Sequence, residues 1–186
     1  MKELKAVYYG KVELIPGIIC DGYVLDDGTA CLSERGTANL LGIHHKSLQS
    51  MAGNWPPKTL KPFINNDLSM AGKIVEVVAK NSPYKGRKIA IYDSSMIENL
   101  ISSYTFALAN NTLRHNQRHV GERCTILSAS LLRTALETAI KQACGLNPNI
   151  QATVQKTYAD VAKLLKDTGL NCSIVGNIAT KKDMVN

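Results

Sequence analysis

The sequence predicts an α+β fold: N-terminal β-hairpins with a helix-turn-helix, followed by a C-terminal helical bundle. Three observations predict it. Short β-branched and aromatic runs separated by Gly and Pro fill the first half. An Asp27-Gly28 dipeptide sits between two of those runs. Apolar residues at three- and four-residue spacing fill the second half.

Taken in order, Lys5 to Tyr9 and Lys11 to Ile15 read as two strand-like runs around Gly10, and Pro16-Gly17 ends the second. Ile18 to Leu25 is expected to pair with Thr29 to Leu32, because Asp-Gly suits a tight turn that needs positive φ. Leu32-Ser33-Glu34-Arg35 opens a helical stretch, in which Gly36 reads as a defect worth up to ~1 kcal/mol relative to Ala. Residues 53–70 are loop-rich, since Gly53, Pro56, Pro57 and Pro62 oppose regular structure. Ile74 to Ala79 and Lys88 to Tyr92 read as further strands.

Ser95-Met96-Ile97-Glu98 fits a capping box for a helix carrying Ile97, Leu100, Ile101, Tyr104 and Leu108 on one stripe. A longer stripe runs through Val120, Cys124, Leu127, Leu131, Ala135 and Thr138, ended by Gly145, Asn147 and Pro148. Val154, Tyr158, Val161 and Leu165 mark a last helix closed by Gly169, and the tail from Thr180 reads as frayed. The expected organisation is a β-hairpin and helix-turn-helix region at 1–92 and a helical region at 93–186, packed as one unit.

Composition narrows the function classes. Hydrophobic residues make up 45% of 186 and mean hydropathy is -0.09, enough for a packed core. No stretch has the length of a membrane span, and no apolar block follows the charged start Met1-Lys2-Glu3-Leu4-Lys5, so a cytoplasmic location in a bacterial host is expected, with no membrane partner. The net charge of +7 leans toward a polyanion. It is split evenly, +3 over residues 1–93 and +4 over 94–186, so any basic face has to be built by folding. Five cysteines, an odd number without a close pair, argue for buried thiols over disulfides or a zinc knuckle.

The segment Thr37 to Met51 carries the most chemical information. A helix-turn-helix needs a small residue where the helices cross, which Ala38 supplies, and a residue at ease with positive φ in the turn, which Gly42 supplies. Leu41, Ile43, Leu48 and Met51 are the apolar anchors. His44, His45, Lys46, Gln49 and Ser50 then point away from those anchors, where a recognition helix meets bases and phosphates. Lys46 suits a phosphate or guanine, and Gln49 suits adenine. The same spacing also serves helix pairs that only pack. Arg114, His115, Arg118, His119 and Arg123 form a second candidate phosphate-contacting face, with Arg114 and Arg118 its leading members.

Gly22 to Thr29, Leu32-Ser33-Glu34-Arg35-Gly36, Leu41-Gly42 and Leu60-Lys61-Pro62-Phe63-Ile64 resemble the motifs of a phage and prophage domain family related to the regulatory modules of phage antirepressors. Tyr84-Lys85-Gly86, Ile97 to Ala109 and Asn116-Gln117 through Leu127 continue the resemblance, which spans roughly residues 18–140. It departs at Leu136 to Cys144, helical here where the family carries a glycine-rich segment. The resemblance implies a mobile-element origin and DNA-linked regulation.

Other constellations point less far. His115 and His119 stand four apart but lack the glutamate of a zinc-protease helix and sit among arginines, so no metal is expected. Lys85-Gly86-Arg87-Lys88 reads as a solvated loop, and Trp55 as a plug under one. No nucleophile elbow, P-loop or dinucleotide glycine pattern is present, so neither an enzyme nor a cofactor is expected. The leading expectation is a phage- or prophage-encoded DNA-binding regulator acting on double-stranded DNA. The alternative is a module that binds and inhibits a host or phage protein, for example in a defence system. A homodimer through the helix at 115–142 is expected from its length and near-3.5 apolar spacing.

Overall fold

A computed structural model describes residues 3–64 and 72–167. Five strands, β1 (Lys5–Ile15), β2 (Ile18–Leu25), β3 (Ala30–Ser33), β4 (Lys73–Val77) and β5 (Lys88–Asp93), form a closed barrel in the order β1-β2-β3-β5-β4. Five α-helices accompany it: α1 (Glu34–Leu41), α2 (His45–Gly53), α3 (Ser94–Ala109), α4 (Arg118–Ala143) and α5 (Ile150–Asp167). The α+β class is therefore as expected, but the hairpins close on themselves through a parallel β1–β4 pairing, Lys5 to Glu76 and Ala6 to Val77. The β1–β4 contact is short, so closure pairs only the start of β1 on that side.

The two runs around Gly10 are one eleven-residue strand, because Gly10 pairs with Gly22 in the β1–β2 ladder and nothing interrupts it there. β2 and β3 pair Gly22 with Leu32, Tyr23 with Cys31 and Val24 with Ala30 across a turn in which Gly28 has φ +87°. Strand alternation explains the core. Cys31 and Ile91 join Ala6, Tyr23, Leu25 and Val75 in one apolar cluster, while their neighbours Leu32 and Tyr92 join the cluster that meets the helices. The barrel is thus packed on both sides of its wall.

The larger cluster draws Ile15, Leu41 and Tyr92 together with Leu100, Leu127 and Tyr158, so it spans the 92/93 boundary expected from the sequence. That boundary falls inside β5, whose last residue Asp93 is the N-cap of α3 and accepts from the Met96 N–H at 2.9 Å. The capping box expected at Ser95 and Glu98 is therefore displaced: Ser95 donates to Asp93, and Glu98 accepts from Ser102 instead. α4 crosses α3 at Gly121, where an added Cβ would lie 2.6 Å from Leu113 and 2.9 Å from Leu108. α5 is registered against α4 by a buried Thr134–Thr157 hydroxyl contact at 3.0 Å, and against β1 by Gln155 donating to the Glu13 carbonyl.

Three further expectations change. Gly36 is no defect: it is buried where α1 crosses β2, and a Cβ would stand 3.3 Å from Asp21 N and from Cys20 Cβ. His115 and His119 do not share a helix, because residues His115–Gln117 form a 3-10 turn and α4 begins at Arg118. Of the cysteines, Cys20, Cys31 and Cys124 are buried as expected but Cys144 is exposed; Cys172 lies outside the described residues, as do Gly169 and the tail from Thr180. Trp55 is half-buried against the larger cluster. No helix among the described residues is long and apolar enough to cross a membrane.

Candidate nucleic-acid interface

The residues Ser33 to Met51 build the first wall of the site. The Ser33 hydroxyl accepts from the Gly36 N–H at 3.0 Å and starts α1. Gly42 ends it at φ +75°, with the Ile43 N–H donating to the Ala38 carbonyl and the Gly42 N–H to that of Asn39. The paired bonds and the left-handed residue turn the chain sharply into α2. Ala38, Leu41 and Leu48 are buried, which fixes which face of α2 looks outward. His44 caps α2: its Nδ1 accepts from the Lys46 N–H at 3.3 Å, and its ring lies 4.3 Å from that of His45.

The N-terminus of α4 holds this turn in place. The Arg123 guanidinium donates to the Asn39 carbonyl at 3.0 Å, and His119 Nε2 lies 3.4 Å from the Gly42 carbonyl. A Cβ at Gly42 would come within 2.8 Å of Arg123, so glycine serves here both for its φ and for the close approach of the guanidinium. Arg123 therefore braces the fold, and is not a free member of the basic face the sequence suggests.

Between α2, the loop at 56–59 and the turn at 114–119 lies a cleft of about 830 Å³. Its cationic and imidazole groups are Lys58, Arg114, His44 and His119, and among the described residues no carboxylate lines it. Asn54, Asn116 and Gln117 add amides, and Ser47 and Ser50 add hydroxyls. Tyr104 lies among its apolar lining, and burial pushes the Tyr104 phenol well above its usual range, so it stays neutral. Lys58 and Arg114 give this lining a positive charge that favours anions over cations.

The structure brings together four of the expected site residues, His44, Ser50, Arg114 and His119, in this cleft. Lys46, Gln49 and Arg118 are exposed but line none of it, and His45 is half-buried. Gln49 is also engaged: its Nε2 donates to Glu34 at 2.8 Å, so meeting a base requires that bond to break. Lys58, Asn54 and Asn116 carry no motif in the sequence, because they come from two stretches far apart in the chain. The only signal was the run of polar residues beside Pro56-Pro57 and beside Arg114.

A second concavity, about 660 Å³, lies between strands β1–β3 and helices α3–α4 and is lined chiefly by apolar groups such as Tyr8, Val12, Leu32, Ile97 and Leu131. Among the described residues no cluster of three or more His, Cys, Asp or Glu side chains is placed to hold a metal. The chain matches no family model, no curated protein and no solved structure.

Proposed function

We propose that this chain is a phage- or prophage-encoded regulator that binds double-stranded DNA, antirepressor-like in role, with α2 and the turn at 114–118 meeting the duplex. The cleft carries the reading: Lys58, Arg114, His44 and His119 converge in it, with no carboxylate among the described residues that line it. The exposure of Lys46 and Arg118 beside it supports the same reading. Phosphates bound there would fix the register of α2, and base contacts from its exposed residues would add sequence preference.

Lys46, Lys58, Arg114 and Arg118 are four cations available for phosphates, which sets a slope of about -3.6 for log K against log salt on duplex DNA. Fluorescence anisotropy with a labelled random duplex measures it. Lys46→Ala and Arg114→Ala are each expected to flatten the slope by roughly one unit. A wild-type protein that fails to bind at about 50 mM salt, where phosphate attraction is strong, overturns the reading.

The other reading, a module that docks on a host or phage protein, draws on the apolar concavity between the barrel and α3–α4. Loss of duplex binding with retention of a protein partner selects it.

A further inference from the structure

α4 carries apolar residues on two opposite sides, the second of them confined to its C-terminal half. One side faces the protein: Val120, Cys124, Leu127, Ser130 and Thr134 are buried against α3 and α5. The homodimer stripe expected from the sequence is largely this intramolecular face, since its first three members are buried within the chain, while Ala135 is exposed. The other side is bare. Ala129, Leu132, Leu136, Ala139, Ile140 and Ala143 are all exposed, with Leu132, Leu136 and Ile140 at 65%, 58% and 64%.

These six residues fall within about 100° of helical arc, diametrically opposite the buried face. Five of them, at 129, 132, 136, 139 and 143, follow the alternating three-four spacing of a helix–helix seam. The charged residues of this stretch are Arg133, Glu137 and Lys141. They flank the arc and pair along their own helix, Glu137 meeting Arg133 at 3.2 Å and Lys141 at 3.4 Å. Arg133 alone borders the arc, where its stem can lie along an apolar partner while its head stays in water and paired to Glu137.

We infer that this face pairs antiparallel with the same face of a second copy. The sequence is its own complement under that operation. Reversing α4 about Leu136 sets Ala129 against Ala143, Leu132 against Ile140, and Leu136 against itself, large against large and small against small, while Ala139 falls opposite Arg133 at the edge of the seam. Alanines at both ends let the helix axes approach closely. The three large side chains and three alanines remove on the order of 500 Å² per copy, about 1,000 Å² for the pair, which is the floor for a specific interface. The surface stands apart from the cleft, so this inference does not depend on DNA binding.

Sedimentation equilibrium of the full chain tests it. The mass is expected to rise from 20.3 kDa toward twice that value across the micromolar range. Leu136→Glu, shown folded by circular dichroism, is expected to weaken association at least about a hundredfold. With Cys144 and Cys172 changed to Ser, Leu136→Cys is expected to cross-link to itself with a short bis-maleimide. Ala129→Cys alone is not, while a mixture of Ala129→Cys and Ala143→Cys proteins is. A wild-type chain still monomeric at about 200 µM overturns the inference, as does a folded Leu136→Glu variant that dimerises normally. A monomer whose thiol at position 136 reacts only after residues 168–186 are removed also overturns it, in favour of cover by the chain itself.

Discussion

Gly121→Ala is expected to destabilise the protein even though alanine is the better helix former. Gly121 lies inside α4, where replacing glycine gains ~1 kcal/mol of helix propensity. Against this, the new Cβ would stand 2.6 Å from Leu113 Cδ1, 2.9 Å from Leu108 Cβ and 3.2 Å from the Tyr104 carbonyl. The Leu113 methyl can rotate away. Leu108 Cβ and the Tyr104 carbonyl are rigidly attached to α3 and cannot. Restoring an ordinary carbon–carbon contact of about 3.5–4.0 Å requires α4 to move off α3 by roughly 0.6–1 Å. Overpacking of this kind costs about 1–3 kcal/mol, toward the upper end where the neighbours are backbone-fixed. The net loss is about 1–2 kcal/mol, or a fall of roughly 3–6 °C in melting temperature for a chain of this size. Gly53→Ala is the matched control: Gly53 closes α2, its added Cβ meets nothing within 4 Å, and a gain of about 0.5 kcal/mol is expected. Urea unfolding of both variants beside the wild type measures the difference. If both substitutions shift stability in the same direction, the close crossing of α3 and α4 is wrong. The cleft is affected too, because α4 carries His119 into it.

Two further outcomes are expected. Burial raises the Asp93 carboxyl, but the Met96 N–H, the Ser95 hydroxyl and Lys73 outweigh it and hold its pKa below the usual range. A depressed folded pKa means that the cap is fully effective above the unfolded value of about 3.9 and fades as pH falls through the folded one. Asp93→Ala is therefore expected to cost about 0.5–2 kcal/mol at neutral pH, with the gap to wild type closing in acid unfolding titrations below about pH 4. The thiols give the second outcome. Burial pushes Cys20 and Cys31 up to about 11 and Cys124 up to about 12, so in a Cys172→Ser background only the exposed Cys144 is expected to react with a thiol reagent in native buffer. Rapid stoichiometric labelling of a second thiol before unfolding would contradict the described core.

What the sequence determined by itself is what depends on near neighbours in the chain. Strand alternation around Asp27-Gly28, the positive φ of Gly42, and the apolar stripe of α3 are all set by local sterics and side-chain periodicity, so they are legible one segment at a time. The exposed residues His44, Lys46, Gln49 and Ser50 were legible for the same reason, since Leu48 fixes the phase of α2. Tertiary structure alone decided the rest. Closure of the barrel requires Lys5 and Ala6 to meet Glu76 and Val77, a pairing of strands far apart in the chain. Gly36 and Gly121 look like weak helix residues until β2 and α3 are seen pressed against them, because the missing side chain matters only to a partner from another segment. The cleft gathers His44, Lys58 and Arg114 from three segments, and such a cluster of basic groups exists only once the fold has removed the distance between them. α4 shows both limits together. Its periodicity announces one apolar stripe from Val120, but only packing reveals that α3 and α5 cover the start of that stripe and leave a second set, Leu132, Leu136 and Ile140, in water.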